Sequence, residues 1–438
     1  MSASSNQRFR PRRRAELEAF PVADELVLLA PSSDRAYALN RSGAAIWELC
    51  DGRHALPDML AALRESFAGD DVEILADITS ALFEMEALEL VETTPPSLPQ
   101  ARDEGQAIVL GEDRERPVHF VFGVEDRPYF HWQLAIFFES LVGQLPAGWS
   151  TVVVVCNGHR EVSTELTRIA ETYGAVLLTG ESLGDRHDLD FSGGGERYVP
   201  LNRVEALAVV AGHVAPDDVV CLMDTDLFLV GELRSELFPS GNAMAENWII
   251  SQERYFQFSD PAGGGLSLPG LLTAMGFERD LVPGGVTVFL TGETLQRRKY
   301  IQDCFRFLQI LYLIGKVSDL PAHGVWVAEM ACFALAAVSN AVDVELLDAP
   351  QFAVPEPGTG EVPDGTFFHY YVDHNDGGGG PFPDSEWHKQ LFQQRDLLRS
   401  DLGQALADAR SPVETRFFEI AIAAQERIHG TPSDSPPS

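Results

Sequence analysis

The sequence predicts an α/β protein with two units: a small N-terminal one of three strands followed by three helices, and a larger one built on a mostly parallel sheet. Up to residue 94, short strand-like runs precede segments whose apolar residues recur at helical spacing. From residue 117 onward, near-continuous apolar runs alternate with helical segments. That alternation is typical of parallel strands covered by helices on both faces.

The N-terminal unit ends at a proline-rich boundary. Its predicted strands cover residues 16–20, 25–30 and 35–39, and its predicted helices begin near Ser42, Leu56 and Val72. Turns that begin at Pro21 and Pro31 are expected to separate the strands. The three prolines at 95, 96 and 99 interrupt regular structure. We therefore expect the first domain over residues 1–94, a linker over 95–116, the larger domain over 117–430 and a disordered tail over 431–438.

The larger domain alternates strands with helices. Strands are predicted at residues 118–124, 151–156, 175–178 and 218–223, and helices at 133–142, 164–173 and 203–214. Sheets of this kind bind ligands at the carboxyl ends of their strands. No Gly-x-Gly-x-x-Gly sequence follows the first strand, which argues against a dinucleotide site. A ligand site of another type is therefore expected just after one of these strands.

The charge of the chain limits its partners. There are 66 Asp and Glu residues against 32 Lys and Arg, and the net charge of −34 argues against binding nucleic acid through its phosphates. The same charge repels a nucleotide diphosphate, so such a ligand needs a metal ion or nearby arginines. The arginines at residues 8–14 are interpreted as a solvated tail.

Neither a membrane span nor a secretion signal is expected. No stretch reaches about 18 uncharged apolar residues, and the arginine-rich N-terminus lacks an apolar segment. The five cysteines are odd in number, scattered and without a Cys-x-x-Cys pair. These observations predict a cytoplasmic protein whose cysteines are reduced and act as small core residues.

Asp224-Thr225-Asp226 is the motif that most favours a chemical role. It lies between the apolar runs 218–223 and 227–230, which predicts an acidic turn between two strands. Two carboxylates so close repel each other unless a cation joins them. Mg²⁺ and Mn²⁺ accept carboxylate oxygens and substrate phosphates together. The alternative is a solvated turn in an acidic protein.

The N-terminal unit resembles the PqqD family, named for the peptide chaperone of pyrroloquinoline quinone biosynthesis. The resemblance covers about residues 10–92 and rests on LVLL at 26–29, YALN at 37–40, GAAIWELCDG at 43–52 and the helix at 74–88. It implies a winged-helix-like fold that recognises precursor peptides. A leader peptide would add as a strand beside Arg35, Ala36, Tyr37, Ala38 and Leu39, and pack on the third helix. The alternatives are an accessory domain without a client and a dimerisation unit.

Residues from Pro117 to about His374 resemble GT-A glycosyltransferases, which have a Rossmann-like fold and an Asp-x-Asp motif. The resemblance implies that Asp226 ligates Mn²⁺ or Mg²⁺, and that Asp224 binds the ribose or metal-bound water. It also implies a histidine ligand near the end of the domain, for which His369 is the candidate and His374 its rival. The alternative for His369 is a packed core residue.

Three further residues are candidates for contact with the substrates. Arg203 would lie near the donor diphosphate; the alternative is that this segment only begins a helix, with Asn202 as N-cap and Glu205 completing a capping box. The resemblance places Asp126 near the base or ribose. Glu329 would be the base of an inverting reaction, kept ionised at a helix start; the alternatives are an ordinary first-turn glutamate or a retaining reaction that needs no base there.

The two resemblances together predict a metal-dependent glycosyltransferase that moves a sugar from a nucleotide-sugar donor to a peptide, or a peptide-linked acceptor, held by the N-terminal unit. The expected partners are the donor and a precursor or leader peptide. One alternative is a peptide-binding scaffold with a degenerate transferase domain. Another is a sugar-phosphate nucleotidyltransferase, although the segment 123–127 lacks the Gly-rich, Lys-containing loop of that class.

Overall fold

The computed structural model describes residues 10–30, 35–93, 117–156, 161–180, 200–245, 287–317, 328–347, 365–369, 396–409 and 411–430. The N-terminal unit contains β1 (Pro11–Arg13), β2 (Glu18–Val22), β3 (Glu25–Ala30), β4 (Arg35–Leu39), α1 (Arg41–Leu49), α2 (Leu56–Leu63), α3 (Asp71–Ala87) and β5 (Val91–Thr93). The predicted order of three strands and three helices is confirmed. The short strands β1 and β5 pair with each other and join the two ends of the unit.

The three-stranded sheet is an antiparallel meander with β3 in the centre. Pro21 was expected in a turn, but it lies within β2, and the hairpin turn is shorter, because Val22 pairs with Glu25. A proline fits there because β2 is an edge strand within the described residues, where a missing N–H leaves no ladder bond unmade. At the opposite edge, β4 pairs only with β3 among the described strands.

Side-chain caps fix where two of the helices begin. The side chain of Asn40 accepts a hydrogen bond from the Gly43 N–H at the start of α1. Asp70 and Glu73 form a reciprocal capping box at the start of α3. Of the apolar stripe predicted for the third helix, Ile74, Leu75, Ile78 and Leu82 are buried, Phe83 is partly buried, and Leu88 is exposed.

The larger unit alternates strands and helices through its first half, as predicted. Its strands are β6 (Val118–Val124), β7 (Ser150–Val155), β8 (Val176–Thr179), β9 (Val219–Leu222), β10 (Leu227–Val230), β11 (Ala243–Ala245), β12 (Val288–Thr291), β13 (Glu345–Leu347) and β14 (Thr366–His369). Its helices are α4 (Pro128–Ser140), α5 (Thr164–Tyr173), α6 (Leu201–Val210), α7 (Gly292–Gln296), α8 (Arg298–Val317), α9 (Ala328–Ser339), α10 (Leu402–Ala407) and α11 (Pro412–His429).

A seven-stranded sheet in the order β13-β11-β12-β9-β6-β7-β8 forms the centre of this unit. Strands β9, β6, β7 and β8 are mutually parallel, whereas β12 runs antiparallel to β9. The predicted α/β class with a mostly parallel sheet is confirmed. Helices α6, α8 and α9 cover one face, and α4, α5 and α11 cover the other. Both faces are therefore apolar, which explains why these strands are near-continuous hydrophobic runs.

Gly123 allows the first strand and α6 to approach closely. A Cβ built on Gly123 would lie 2.1 Å from the carbonyl oxygen of Asn202, a backbone atom that no side-chain rotation can move away. The start of α6 is therefore pressed against the carboxyl end of β6. This contact positions the first turn of α6, which carries Arg203.

The N-terminal unit packs directly on the larger unit through α3 and α8. Arg306 of α8 forms an ion pair with Glu86 of α3. The Arg306 guanidinium also lies 3.9 Å from the ring centroid of Phe83, and that ring stacks on Phe307 at 5.5 Å. The described parts of the two units are thus in direct side-chain contact. Within the described residues, no helix has the length and apolar character needed to cross a membrane.

The substitution Gly123→Ala is expected to lower the free energy of unfolding by about 1–3 kcal/mol, because the added methyl group overpacks a backbone contact. Urea denaturation followed by circular dichroism would measure the change. Gly241→Ala is the matched control, since a Cβ there meets no atom within 4 Å. Equal stability of the two variants would contradict the close approach of α6 to β6.

Arg306→Ala is expected to loosen the contact between α3 and α8. The Arg306 side chain is only 8% exposed. Losing its ion pair and ring contact should lower local stability by about 1–2 kcal/mol. Amide exchange in α3 should then become about 5- to 30-fold faster. Hydrogen–deuterium exchange would measure this, with Arg297→Ala, which removes an exposed pair with Glu293, as control. Unchanged protection of α3 would show that the pair does not hold the two units together.

Candidate active site

The Asp-x-Asp segment follows the carboxyl end of β9, at the edge of the parallel sheet. The Met223 N–H donates to the Val121 carbonyl oxygen at 3.1 Å, so the chain stays beside β6 up to the motif. Strand β10 follows immediately and pairs antiparallel with β14. The motif is therefore an acidic turn between two strands, as the sequence predicts.

The pairing of β10 with β14 brings His369 to the motif. In this register Leu227 is opposite His369, which places the imidazole beside Asp226. His369 Nε2 lies 3.0 Å from Asp226 Oδ1. One potential ligand atom from each of Asp224, Asp226 and His369 lies within 4.8 Å of the other two. Of the two predicted histidine ligands, His369 is at the site, and His374 lies outside the described residues.

This group of side chains fits a divalent metal ion. Two carboxylates supply hard oxygen donors, and the imidazole supplies a nitrogen, a ligand that first-row divalent ions such as Mn²⁺ accept more readily than Mg²⁺. The side chains of Asp224, Asp226 and His369 are 23%, 9% and 12% exposed, so the site is sheltered yet open on the Asp224 side. A substrate phosphate could therefore reach an ion held there.

Arg203 connects the motif to a buried glutamate. Its Nε lies 3.4 Å from Asp224 Oδ1, and its Nη1 lies 3.2 Å from Glu329 Oε1. The guanidinium is also 5.8 Å from the ring centroid of Phe333. The structure thus places Arg203 beside the first aspartate of the motif, where the diphosphate contact is predicted.

The capping alternative for this segment is wrong. Helix α6 begins at Leu201 with Pro200 in the N-cap position, and no described side chain caps it. Asn202 lies inside the first turn, and Glu205 is completely buried. The Asn202 carbonyl packs against Gly123 at this end of the helix.

Glu329 lies in the first turn of α9 and is 3% exposed. Burial raises its pKa to about 7, and the nearby Arg203 charge only partly offsets that effect. The helix start favours the ionised form of this carboxylate, but desolvation is the larger effect on its pKa. Glu329 Oε2 has no hydrogen-bond partner among the residues that the structure describes. Its role as a base stays a prediction.

Asp126 is held by hydrogen bonds within the protein. His131 Nε2 lies 2.7 Å from Asp126 Oδ1, and the Ser163 hydroxyl donates to the same oxygen at 2.7 Å. The Ser163 N–H donates to Oδ2 at 2.5 Å. Asp126 thus joins the loop after β6 to α4 and to the start of α5. Its contact with a donor stays a prediction.

A hydrogen bond to Gln133, a residue that the sequence analysis did not single out, holds the middle of the motif. The hydroxyl of Thr225 donates to the side-chain carbonyl of Gln133 in α4. Both residues are buried. A glutamine among the aromatic and aliphatic residues of this helix is a signal that could have identified Gln133. This contact fixes the turn so that Asp224 and Asp226 project to the same side as Arg203 and His369.

A groove in the N-terminal unit lies where the resemblance places a peptide. It has a volume of about 620 Å³ and lies between β4, α1 and α3. Ala36, Tyr37, Ala38 and Leu39 line it, whereas Arg35 does not. Strand β4 has one strand neighbour among the described residues, and an extended peptide can pair with a strand edge of this kind.

Residues 25–91 match the PqqD family, described as coenzyme PQQ synthesis protein D. The predicted resemblance of the N-terminal unit is confirmed by this match. No curated protein shows significant similarity to the chain.

Three solved structures show the range of structural similarity. TbiB1 in complex with the TbiA(beta) leader peptide is 21% identical and covers 18% of this chain and 94% of its own, with a TM-score of 0.18. The galactosyltransferase LgtC in complex with donor and acceptor sugar analogs is 13% identical and covers 70% and 95%, with a TM-score of 0.40. The bifunctional glycosyltransferase WbbM is 12% identical and covers 86% and 70%, with a TM-score of 0.40.

The buried state of Glu329 predicts a pH effect on stability. Because its folded pKa of about 7 exceeds the ordinary 4.5, its contribution is largest below pH 4.5 and is lost as the pH rises toward 7. In Glu329→Gln, the stability deficit relative to wild type should therefore shrink by about 1–3 kcal/mol between pH 5 and 7.5.

Urea denaturation at both pH values would measure this deficit. Glu345→Gln is the control, because Glu345 is exposed on β13 and no ion pair of it is found among the described residues. A deficit for Glu329→Gln that stays constant with pH would show that Glu329 is ionised throughout this range.

Proposed function

We propose that this protein is a metal-dependent glycosyltransferase that moves a sugar from a nucleotide-sugar donor to a peptide held by its N-terminal unit. The observation that carries the proposal is the cluster of Asp224, Asp226 and His369 at the carboxyl end of β9, with Arg203 beside it. Ligand sites of open α/β sheets occur at this edge. The PqqD match over residues 25–91 supports the peptide as acceptor or carrier of the acceptor.

Different side chains of this cluster would bind different parts of the metal–donor complex. Asp224, Asp226 and His369 would hold Mn²⁺ or Mg²⁺, which would offset the negative charge that develops on the leaving diphosphate. The guanidinium of Arg203 presents a planar fork of N–H donors that suits a phosphate. A chain with a net charge of −34 needs such local positive charge to bind an anionic donor at all.

In the transfer itself, the bond between the anomeric carbon and the diphosphate oxygen breaks, and the nucleoside diphosphate leaves with the electron pair. An acceptor oxygen bonds to that carbon and loses its proton. Glu329 is the proposed acceptor of this proton in an inverting reaction, and its pKa of about 7 suits a proton carrier near neutral pH. A retaining reaction would leave Glu329 only the task of orienting Arg203, which it contacts.

The groove in the N-terminal unit is the proposed binding site of the acceptor peptide. An extended peptide can pair with the open edge of β4 and place alternate side chains against α3. Holding the acceptor there converts the second binding step into an intramolecular one, so the larger unit would not need high affinity for the modified residue.

The experiment is calorimetric titration of the purified protein with a panel of nucleotide-sugars, with and without Mn²⁺. One donor should bind in a Mn²⁺-dependent manner, and Asp226→Asn should weaken that binding by about 100-fold or more, because it removes a charged ligand. Asp217→Asn is the matched control, since Asp217 is exposed shortly before the same strand. If no donor bound, or if both variants bound alike, the protein would be better described as a peptide-binding scaffold.

A further inference from the structure

Some acidic side chains of α3 form ion pairs or hydrogen bonds with other described residues, and others do not. Three of its five carboxylates have partners, namely Asp71 with Arg64, Glu73 with the Asp70 N–H and Glu86 with Arg306. Among the residues that the structure describes, Asp77 and Glu84 form no ion pair or hydrogen bond through their side chains. These two are also the acidic residues of the helix that line the groove.

Asp77 and Glu84 lie on the same side of α3, seven residues and about two turns apart, which corresponds to about 10 Å along the helix axis. The remaining lining is apolar or neutral, and its apolar side chains include Ile46, Leu63, Phe67, Ile74, Ile78 and Met85. No Lys, Arg or His belongs to the described lining. The groove therefore combines an apolar floor with two carboxylates that no described side chain pairs with.

The positive end of α1 does not cancel these charges. Its first turn also borders the groove, but Asn40 Oδ1 already accepts hydrogen bonds from the Gly43 N–H at 2.8 Å and the Ser42 hydroxyl at 3.0 Å. Partial burial, together with the nearby Glu73 carboxylate, raises the pKa of Asp77. A cation bound beside Asp77 would stabilise its ionised form.

We propose that the groove binds an extended peptide that places apolar side chains on the floor and Lys or Arg side chains against Asp77 and Glu84. The inference rests on the proposed peptide-binding function and names the chemistry of its ligand. An extended strand advances about 3.3 Å per residue. Two basic residues separated by two to four positions would therefore reach both carboxylates through their long, flexible side chains.

The net charge of the whole chain also favours a basic peptide over an acidic one. A net charge of −34 attracts a basic peptide at long range and repels an acidic one. Because solvent reaches the side chains of both Asp77 and Glu84, their attraction for the peptide is screened by salt. The affinity for a basic peptide should therefore fall as ionic strength rises.

The test is selection of a phage-displayed library of random 12-residue peptides on the full-length protein, followed by fluorescence anisotropy of the enriched peptides. Lys or Arg should be enriched together with apolar residues. The double variant Asp77→Asn/Glu84→Gln should bind these peptides about three- to tenfold more weakly, and raised salt should reduce this difference. Glu48→Gln/Glu65→Gln is the matched control, because it removes the same charge from exposed positions outside the groove lining.

Two variants that fill the groove, Ala81→Trp and Ala38→Trp, separate this inference from the function on which it rests. If peptides need the open groove but show no basic preference, or bind the double variant as tightly as wild type, the charge inference is overturned and peptide binding stands. If no enriched peptide depends on the open groove, the proposed peptide function fails as well. Circular dichroism of each variant would confirm that it is folded.

Discussion

The guanidinium of Arg203 is the interaction on which the candidate active site depends. It is 6% exposed and lies between Asp224 and Glu329, the first of which belongs to the motif and the second to α9. A buried charge that loses its partner is strongly destabilising, so these three groups constrain one another. Asp226 places a second carboxylate of the motif close to Asp224, and a bound metal ion would relieve the repulsion between the two.

Two features of the fold position Arg203. The absence of a side chain at Gly123 lets α6 begin against the end of β6. The ring of Phe333 supports the guanidinium from α9, the helix that also carries Glu329. On the opposite side, the pairing of β10 with β14 delivers His369 to Asp226. The site is thus assembled by secondary structure rather than by a single loop.

The sequence was sufficient for the features that depend on local patterning. Alternating apolar runs and helices predicted the parallel sheet, and the position of Asp224 after a strand predicted an acidic turn at its carboxyl edge. Features that depend on pairing between segments far apart in the sequence could not be derived from local patterns. His369 lies 143 residues from Asp226 and reaches it through strand register, which no local pattern reveals. The pKa of Glu329 departed from expectation because burial, a property of the folded chain, outweighs the effect of its helix position.

Helix α3 connects the two halves of the proposed function. One of its sides lines the groove through Asp77, Ile78 and Glu84, while Phe83 and Glu86 contact α8 of the larger unit. A peptide bound in the groove would therefore be held by a helix that is itself packed on the larger unit. For tethered reactants, effective concentration is highest when the connecting chain matches the distance it must span. The packing of α3 on α8 would fix the distance between the groove and the candidate active site. It would therefore favour modification of a peptide residue that lies at a set number of positions from the segment bound in the groove.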